Sequence, residues 1–380
     1  MSVSAITELR AAFEDSFSAL GRDAARDRQT IVVSWPSVPV ELVHAAGLRP
    51  VFARGGSAAT PSADGVLEPD LFPNRLRQLV EAALTERLAN VAAIVLPRSS
   101  DPDYKCFLYL RELARRGIAR ALPPVLLFDL LHSEESNARA YNADRARDLS
   151  ARLASLAGRP QQTDALRDAI ASGIRARAAA RRLAALRAAR PRIAGAEALP
   201  LLGAFWQLGP ERYAALANAA TDALSGRAPL AGPRVLLAGA PVEGAALHTS
   251  VEAEGAVVVA ELSPFGTCGT STDVELAGDA SAALAAHCAR ESIDARLPVR
   301  SLLRKLEGLL PNVAAVVIAQ PADDASFGWD YPRLRELLAR HSIPHTIVTG
   351  DPSLGATAED RARIRALLER TGDTREASGG

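Results

Sequence analysis

Five turns gather the side chains in this chain that could do chemistry. WPSVPVEL carries Ser34, Ser37 and Glu41, hydroxyl and carboxylate groups of the kind that position a substrate or move a proton. PRSSDPDYK carries Ser99, Ser100 and Asp101 in a row, where a helix cap alone would need one polar side chain. FDLLHSEES presents Asp129 and His132, an acid and an imidazole suited to proton exchange or ligation. LSPFGTCGTST holds Cys268 between Gly266 and Gly269; small neighbours let backbone amides approach a ligand, and a thiol there is a nucleophile or ligand. QPADDASFGWDYP pairs Asp323 with Asp324, which could bind a cation or share a proton, beside the flat surfaces of Trp329 and Tyr331. Plainer roles compete at each turn: Ser37, Ser99, Ser100 and Asp330 as helix caps, Glu41 as a charge favoured at a helix start, His132 as a structural hydrogen-bonder.

These turns recur because the elements recur. Residues 93–118 and 315–343 share one grammar of apolar strand, polar turn and amphipathic helix with a basic end. Residues 31–53 and 235–260 share another, with Pro-Val-Glu between strand and short helix, then Gly and a second strand. The order is the same in both halves, so one α/β domain is built twice, with its loops aimed at a shared crevice. Strands such as VAAIVLP and PPVLLFDLL hardly alternate, which fits parallel sheets covered on both faces. Gly47 closes the first short helix. GGSAATPSADG, 55–65, is a loop and a candidate lid. Helical spacing over 5–28 gives a leading helix, and 133–228 shows helices only, including the basic block RARAAARRLAALRAARPR, whose plain reading is a solvated face and whose functional reading is a phosphate contact.

Composition narrows the classes. A chain of 380 residues exceeds one ordinary core and suits two or three packed domains. Lys plus Arg and Asp plus Glu are both 44, so no global field recruits nucleic acid or an anionic membrane. No apolar run spans a bilayer, the N-terminal stretch has no signal core, and the expected location is cytoplasmic. The three cysteines, Cys106, Cys268 and Cys288, have no paired spacing, and Cys106 and Cys288 fall in helices as packing. Phosphate-loop, dinucleotide, HExxH and GxSxG signatures are absent.

PVELVHAAGLRPV resembles the opening Pro-x-Glu-Leu-x-x-Ala-Ala-Gly-x-x-Pro-Val of 2-hydroxyacyl-CoA dehydratase subunits, a group that includes the ATP-dependent benzoyl-CoA reductase subunits. GWDYPRLRELLARHSIPHTIVTGD resembles their closing helix and strand, and matches run in order from about 29 to 368. The resemblance implies two α/β domains plus a helical one, a related partner subunit, acyl-CoA between the domains, and a 4Fe-4S cluster on three cysteines per subunit. It also implies an ATP-driven activator protein that injects one electron, after which a ketyl radical expels the hydroxyl as water. Where the family has its cysteines, this chain has Ser99 and Ser100, Leu131 and His132, and Asp323 and Asp324. Carboxylates and hydroxyls are poor substitutes for cluster thiolates.

The expected fold is therefore α/β: two similar flavodoxin-like parallel-sheet domains, 1–150 with the leading helix and 231–371, a helical segment at 151–230 between them, and a disordered tail at 372–380. The expected function is a dehydratase-like subunit that binds an acyl-CoA thioester, lacks its own cluster, and pairs as a homo- or heterodimer with a cluster-bearing homologue. In that reading Ser37, Glu41 and His132 are the catalytic candidates, while Ser99, Ser100, Asp323, Asp324 and Cys268 line a degenerate cofactor site with no other metal. The basic block with Arg54 and Arg98 would meet the CoA phosphates. An active subunit with atypical ligands and a cluster-free protein with another binding, hydrolytic or structural role are the alternatives.

Overall fold

The computed structural model describes residues 2–18, 28–56, 58–160, 163–270, 272–321 and 327–377. In chain order the elements are α1 (Ser2–Ser18), β1 (Thr30–Val33), α2 (Val40–Ala45), β2 (Arg49–Phe52), α3 (Pro61–Asp64), α4 (Asn74–Leu84), β3 (Ala93–Pro97), α5 (Asp101–Arg115), β4 (Val125–Phe128) and α6 (Ser136–Leu156). Then come α7 (Thr163–Ala184), α8 (Gly195–Gly203), α9 (Pro210–Leu224), β5 (Arg234–Gly239), α10 (Ala246–Glu252), β6 (Val257–Glu261), α11 (Ala280–Glu291), α12 (Val299–Leu309), β7 (Ala315–Ala319), α13 (Phe327–Arg340), β8 (His345–Val348) and α14 (Ala358–Ala377).

Both sheets are four-stranded, wholly parallel and identically ordered: β2-β1-β3-β4 and β6-β5-β7-β8. The duplicated grammar is thus a duplicated topology of two flavodoxin-like sheets. β3, β6 and β7 are buried at every residue, the reason their sequences show no alternation. Alternate side chains still part to opposite faces. Ile31, Val33 and Val95 enter one core while Val32, Ile94 and Leu96 enter another; Val235, Leu237 and Val317 separate likewise from Leu236, Val316 and Ile318. Pro50 lies on β2, an edge strand, where a missing N–H is tolerated. Gly47 adopts φ +72° just past α2, as its placement in the sequence predicts.

The first sheet's inner core runs straight into the helical layer, taking in Leu183, Ile193, Leu199, Leu216 and Ala217. Leu9 and Phe13 of α1 join that core, and α1 packs on α8 and α9. The leading helix therefore belongs with the helical layer in space. Three details depart from the sequence expectation. The 55–65 loop is pinned: Gly55 and Gly56 amides donate to Glu243 and Asn74, Ser62 donates to Glu81, and Arg77 holds Asp64 through two nitrogens. Thr60, Ser62 and Asp64 find partners on α3 and α4, so the described part of this loop is held down rather than free as a lid. α13 starts at Phe327, so Asp330 lies inside its first turn and does not cap it. α14 runs to Ala377, beyond residue 371. No helix among the described residues is long and apolar enough to cross a membrane.

Candidate functional site

The carboxyl end of the first sheet holds a buried polar network. Asp103, fully buried in the first turn of α5, is its hub. Arg75 of α4 donates to both its oxygens, at 2.8 and 2.9 Å, and also to the Ser34 carbonyl at 3.1 Å. The Ser99 and Ser100 hydroxyls each donate to Asp103 Oδ2 at 2.6 Å, and the Ser34 hydroxyl reaches Oδ1 at 3.3 Å. Ser100 caps α5 by accepting the Asp103 amide at 3.2 Å. Burial alone would depress the Arg75 guanidinium, but Asp103 overrides it and the net shift is upward. From the second half, Glu243 stands 3.6 Å from Arg75 and accepts the Gly55 amide at 3.0 Å.

A strap from the second half, residues 293–296, crosses the same strand ends. Trp35 donates its indole N–H to the Ile293 carbonyl at 3.1 Å. Arg296 donates to the Arg98 carbonyl and to Asp129, both at 2.9 Å. His132 makes Nδ1 contact with the Ala289 carbonyl at 2.8 Å and lies 3.4 Å from Asp294 through Nε2. Both partners are acceptors, so only the doubly protonated imidazolium satisfies both. Burial pushes this imidazole down, Asp294 and the Ala289 carbonyl pull it up, and the net shift is upward.

Two further ion pairs fasten α/β halves to the helical layer. Glu41 at the start of α2 receives Arg177 of α7 at 2.5 Å, both nearly fully buried. Burial raises the Glu41 carboxyl, but Arg177 outweighs it and the net shift is downward. Glu261, at the end of β6, receives Arg187 at 2.6 Å with His248 3.7 Å away. Against the cost of burial, Arg187 and His248 hold that carboxyl at about 2. Gly266 makes this possible, because a Cβ there would sit 1.6 Å from Glu261 Oε1. A buried carboxylate and guanidinium this close are worth keeping chiefly because breaking one strands the other.

Of the residues singled out by sequence, Ser99 and Ser100 share one hub and His132 lies at the neighbouring strand end under the strap. Ser37 is buried with no hydrogen-bond partner for its hydroxyl among the described residues, and α2 has no side-chain cap. Glu41 is spent on Arg177, away from the Asp103 network. Asp323, Asp324 and the Cys268 side chain lie outside the described residues. Arg54 is buried over the Phe13 ring at 3.5 Å and donates to the Phe13 carbonyl, which removes it from any surface. The basic block is largely consumed internally: Arg177 and Arg187 as above, Arg181 on Asp273, Arg182 on Asn218. Cys106 and Cys288 are buried, and burial pushes both thiols up. Trp329 is 86% exposed, whereas the Tyr331 hydroxyl meets His345 at 3.0 Å.

Sequence reasoning passed over Arg75, Asp103, Glu243, Asp294 and Arg296. Asp103 had a signal, since Ser100-Asp101-Pro102-Asp103 is a Ser-x-x-Asp capping pattern. Glu243 had one too, as the repeat of Glu41 in the second Pro-Val-Glu. The others reach partners far along the chain, for which no local spacing exists. Among the described residues no group of three or more His, Cys, Asp or Glu side chains could hold a metal ion.

No curated protein matches the chain. Residues 37–371 match the family described as 2-hydroxyglutaryl-CoA dehydratase, D-component, and this span includes the second sheet, β2, β3 and β4 of the first, α7 to α9, Arg75, Ser99, Ser100 and Asp103, and the strap. A match over that length places the chain in the family: it belongs to the 2-hydroxyglutaryl-CoA dehydratase D-component family and is a 2-hydroxyacyl-CoA dehydratase-like subunit.

Proposed function

We propose that this subunit binds an acyl-CoA thioester and works beside a related, cluster-bearing subunit, without a 4Fe-4S cluster of its own. The observation that carries the reading is the occupation of Asp103. At the turn where the family resemblance expects a cysteine, the Ser99 and Ser100 hydroxyls are hard donors already committed to a carboxylate that is itself locked on Arg75. At the second such turn both nitrogens of His132 face protein acceptors. The residues at these two positions do not fit an iron–sulfur cluster, whose irons call for thiolates with free sulfur lone pairs. The third position, Asp323 and Asp324, lies outside the described residues.

The family's chemistry concerns CoA thioesters and partner subunits, and the assignment of both to this chain is the proposal. Iron and acid-labile sulfide analysis of anaerobically purified protein tests the cluster element, with background levels expected; about four irons per chain overturns it. Sedimentation with and without a cysteine-complete homologue, including any supplied by an operon bearing an ATP-driven activator, tests the pairing. A monomer at micromolar concentration in both cases sinks it.

A second reading, a purely structural subunit, is favoured by the strap. Residues 293–296 and Glu243 cover the first sheet's strand ends, where a substrate crevice would open. Calorimetric titration with a panel of acyl-CoA thioesters separates the two: heat and thermal stabilisation support substrate binding, and silence across the panel leaves the structural role.

A further inference from the structure

Helix α5 is apolar on its outer side as well as its inner one. Asp103, Cys106, Leu110 and Leu113 face inward and are buried where the helix packs on β3, β4 and α4. The opposite ridge, in steps of three and four, is Asp101, Tyr104, Leu108, Arg111 and Arg115, with Leu108 43% exposed at its centre. The ring of Tyr104 stacks with that of Phe107 at 6.4 Å, Arg98 lies over Tyr104 at 4.7 Å, and Arg111 lies over Phe107 at 5.3 Å. On one flank the Tyr141 hydroxyl donates to Asp129, which stands 3.6 Å from Arg98. On another, Leu71 precedes Phe72, whose ring meets Tyr109 of α5 at 5.6 Å. Leu71, Leu108, Tyr141 and Ile118, just past the helix end, are four of the seven large apolar side chains exposed among the described residues, so exposed apolar surface is concentrated around this one helix.

The charges along this ridge invert about Leu108. Asp101 and Arg115 stand seven residues to either side of it. On one flank Lys105 precedes it by three and Glu112 follows by four; on the other Tyr104 precedes it by four and Arg111 follows by three. A second α5 laid antiparallel, with the twofold axis at Leu108, therefore brings opposite charges together at matching heights, and every contact occurs twice. The two helix dipoles then run head to tail. The Asp101 and Lys105 side chains have no ion pair or hydrogen bond among the described residues. Glu112 holds Arg115 at 2.7 Å in its own helix, but that pair is exposed and a carboxylate has lone pairs for a second cation. Single-stranded nucleic acid fits this face less well, because bases would have to displace the guanidinium groups already lying over Tyr104 and Phe107.

We infer that the outer face of α5 is the contact surface of a symmetric homodimer, in which Leu108 meets its own copy while Asp101, Lys105 and Tyr104 meet Arg115, Glu112 and Arg111 of the second copy. Specific interfaces bury about 1,200–2,000 Å² in all. One helix does not supply that alone, and Leu71 and Tyr141 on the flanks extend the apolar centre. Such a dimer depends on neither a thioester nor a cluster-bearing subunit, so it goes beyond the function proposed above.

Sedimentation equilibrium of the full chain over a concentration series tests it. Wild type is expected to be a dimer at tens of micromolar, and Leu108→Asp, which sets two carboxylates at the twofold axis, a monomer. Lys105→Glu and Glu112→Lys each create like-charge contacts twice over and should weaken dimerisation by roughly tenfold or more. The Lys105→Glu/Glu112→Lys double variant reverses both signs and should recover most of the loss. Only contact between different copies allows that recovery, because within one helix the two positions lie two turns apart. A wild-type monomer at that concentration, a dimer untouched by Leu108→Asp, or a double variant no better than its parents overturns the inference. Leu108, Lys105 and Glu112 are all exposed, so the fold should survive each exchange, and an unchanged circular dichroism spectrum verifies it. Pairing with a cysteine-complete homologue is scored separately. Leu108→Asp protein that is monomeric alone yet still joins that homologue supports both readings; wild type that is monomeric alone and loses the homologue on Leu108→Asp assigns the face to that subunit and overturns self-pairing.

Discussion

The two α/β halves share strand order, strand direction and a Pro-Val-Glu turn, yet their carboxyl ends are finished differently. In the first half the ends are sealed by Arg75, Asp103 and three serines, with Glu243 and the strap laid over them from the second half. In the second half β6 ends on Glu261, buried against Arg187, whereas Trp329 and Leu354, beyond β7 and β8, are 86% and 81% exposed; the turn that follows β7 lies outside the described residues. Glu41 is drawn into the helical layer by Arg177, while its repeat, Glu243, reaches across to the first half. The sheet is what the repeat preserves. Strand-end chemistry is free to diverge because those side chains are held by partners outside the repeating unit.

Breaking the first half's seal should have the largest effect. Asp103→Ala leaves Arg75 buried beside an empty position, and loss of one member of a buried pair costs about 3–5 kcal/mol. Urea denaturation is expected to show that loss. An Arg75→Met/Asp103→Leu double variant should be closer to wild type than either single change, because the two fully paired buried charges leave together and only the partly exposed Glu243 loses a cation. A double variant as unstable as the sum of its parts would mean the network contributes more than mutual neutralisation.

The same comparison shows what could be read in advance. β3 and β7 stood out as apolar runs bounded by polar turns, so both sheets and their repetition were legible, as were the Ser100 cap and the buried Cys106 and Cys288. The partners of Glu41 and Glu261 were not. Arg177 and Arg187 lie 136 and 74 residues away from them, and an arginine on an alanine-rich helix looks solvated whichever face it uses. The strap was hidden for the same reason: Asp294 and Arg296 belong to a linker, and their meaning comes from Asp129 and His132 in the other half.

The α7 junction supplies the next effect. His287 is packed near Arg177 and Glu41, and burial, reinforced by Arg177, holds its imidazole at about 4. A neutral buried histidine with that depressed value binds fewer protons folded than unfolded below pH 6.5. Stability therefore falls as pH drops from about 6.5 towards 4, by an amount on the order of 3 kcal/mol. His287→Gln should flatten that part of the stability curve. An unchanged slope would place the acid sensitivity in the carboxylates instead.

A smaller effect should come from Gly266→Ala, whose Cβ would collide with Glu261 Oε1. Displacing the carboxylate from Arg187 or shifting the loop costs about 1–3 kcal/mol. Gly117→Ala, where nothing lies within 4 Å but φ is +68°, isolates the backbone strain alone. A melting temperature equal for the two variants would show that close approach to Glu261 is not what Gly266 provides.

The finest discrimination between the halves is the pH dependence of the strap. His132 has its folded value raised above the unfolded one, the opposite sense to His287. Its contribution is thus fully present below about pH 6.5 and disappears as pH rises through the folded value. Above that point a single proton cannot serve both the Ala289 carbonyl of α11 and Asp294 of the strap, so one of these two contacts to the second half is lost. His132→Gln should lower stability by roughly 1.5 kcal/mol at pH 6, with a smaller deficit at pH 9. Amide exchange over 289–298 should quicken in wild type across the same rise in pH and be faster, and nearly pH-flat after correction for intrinsic rates, in the variant. A deficit that stays constant from pH 6 to pH 9 would show that His132 holds the strap by packing and a neutral hydrogen bond, and that proton uptake plays no part in closing the first half.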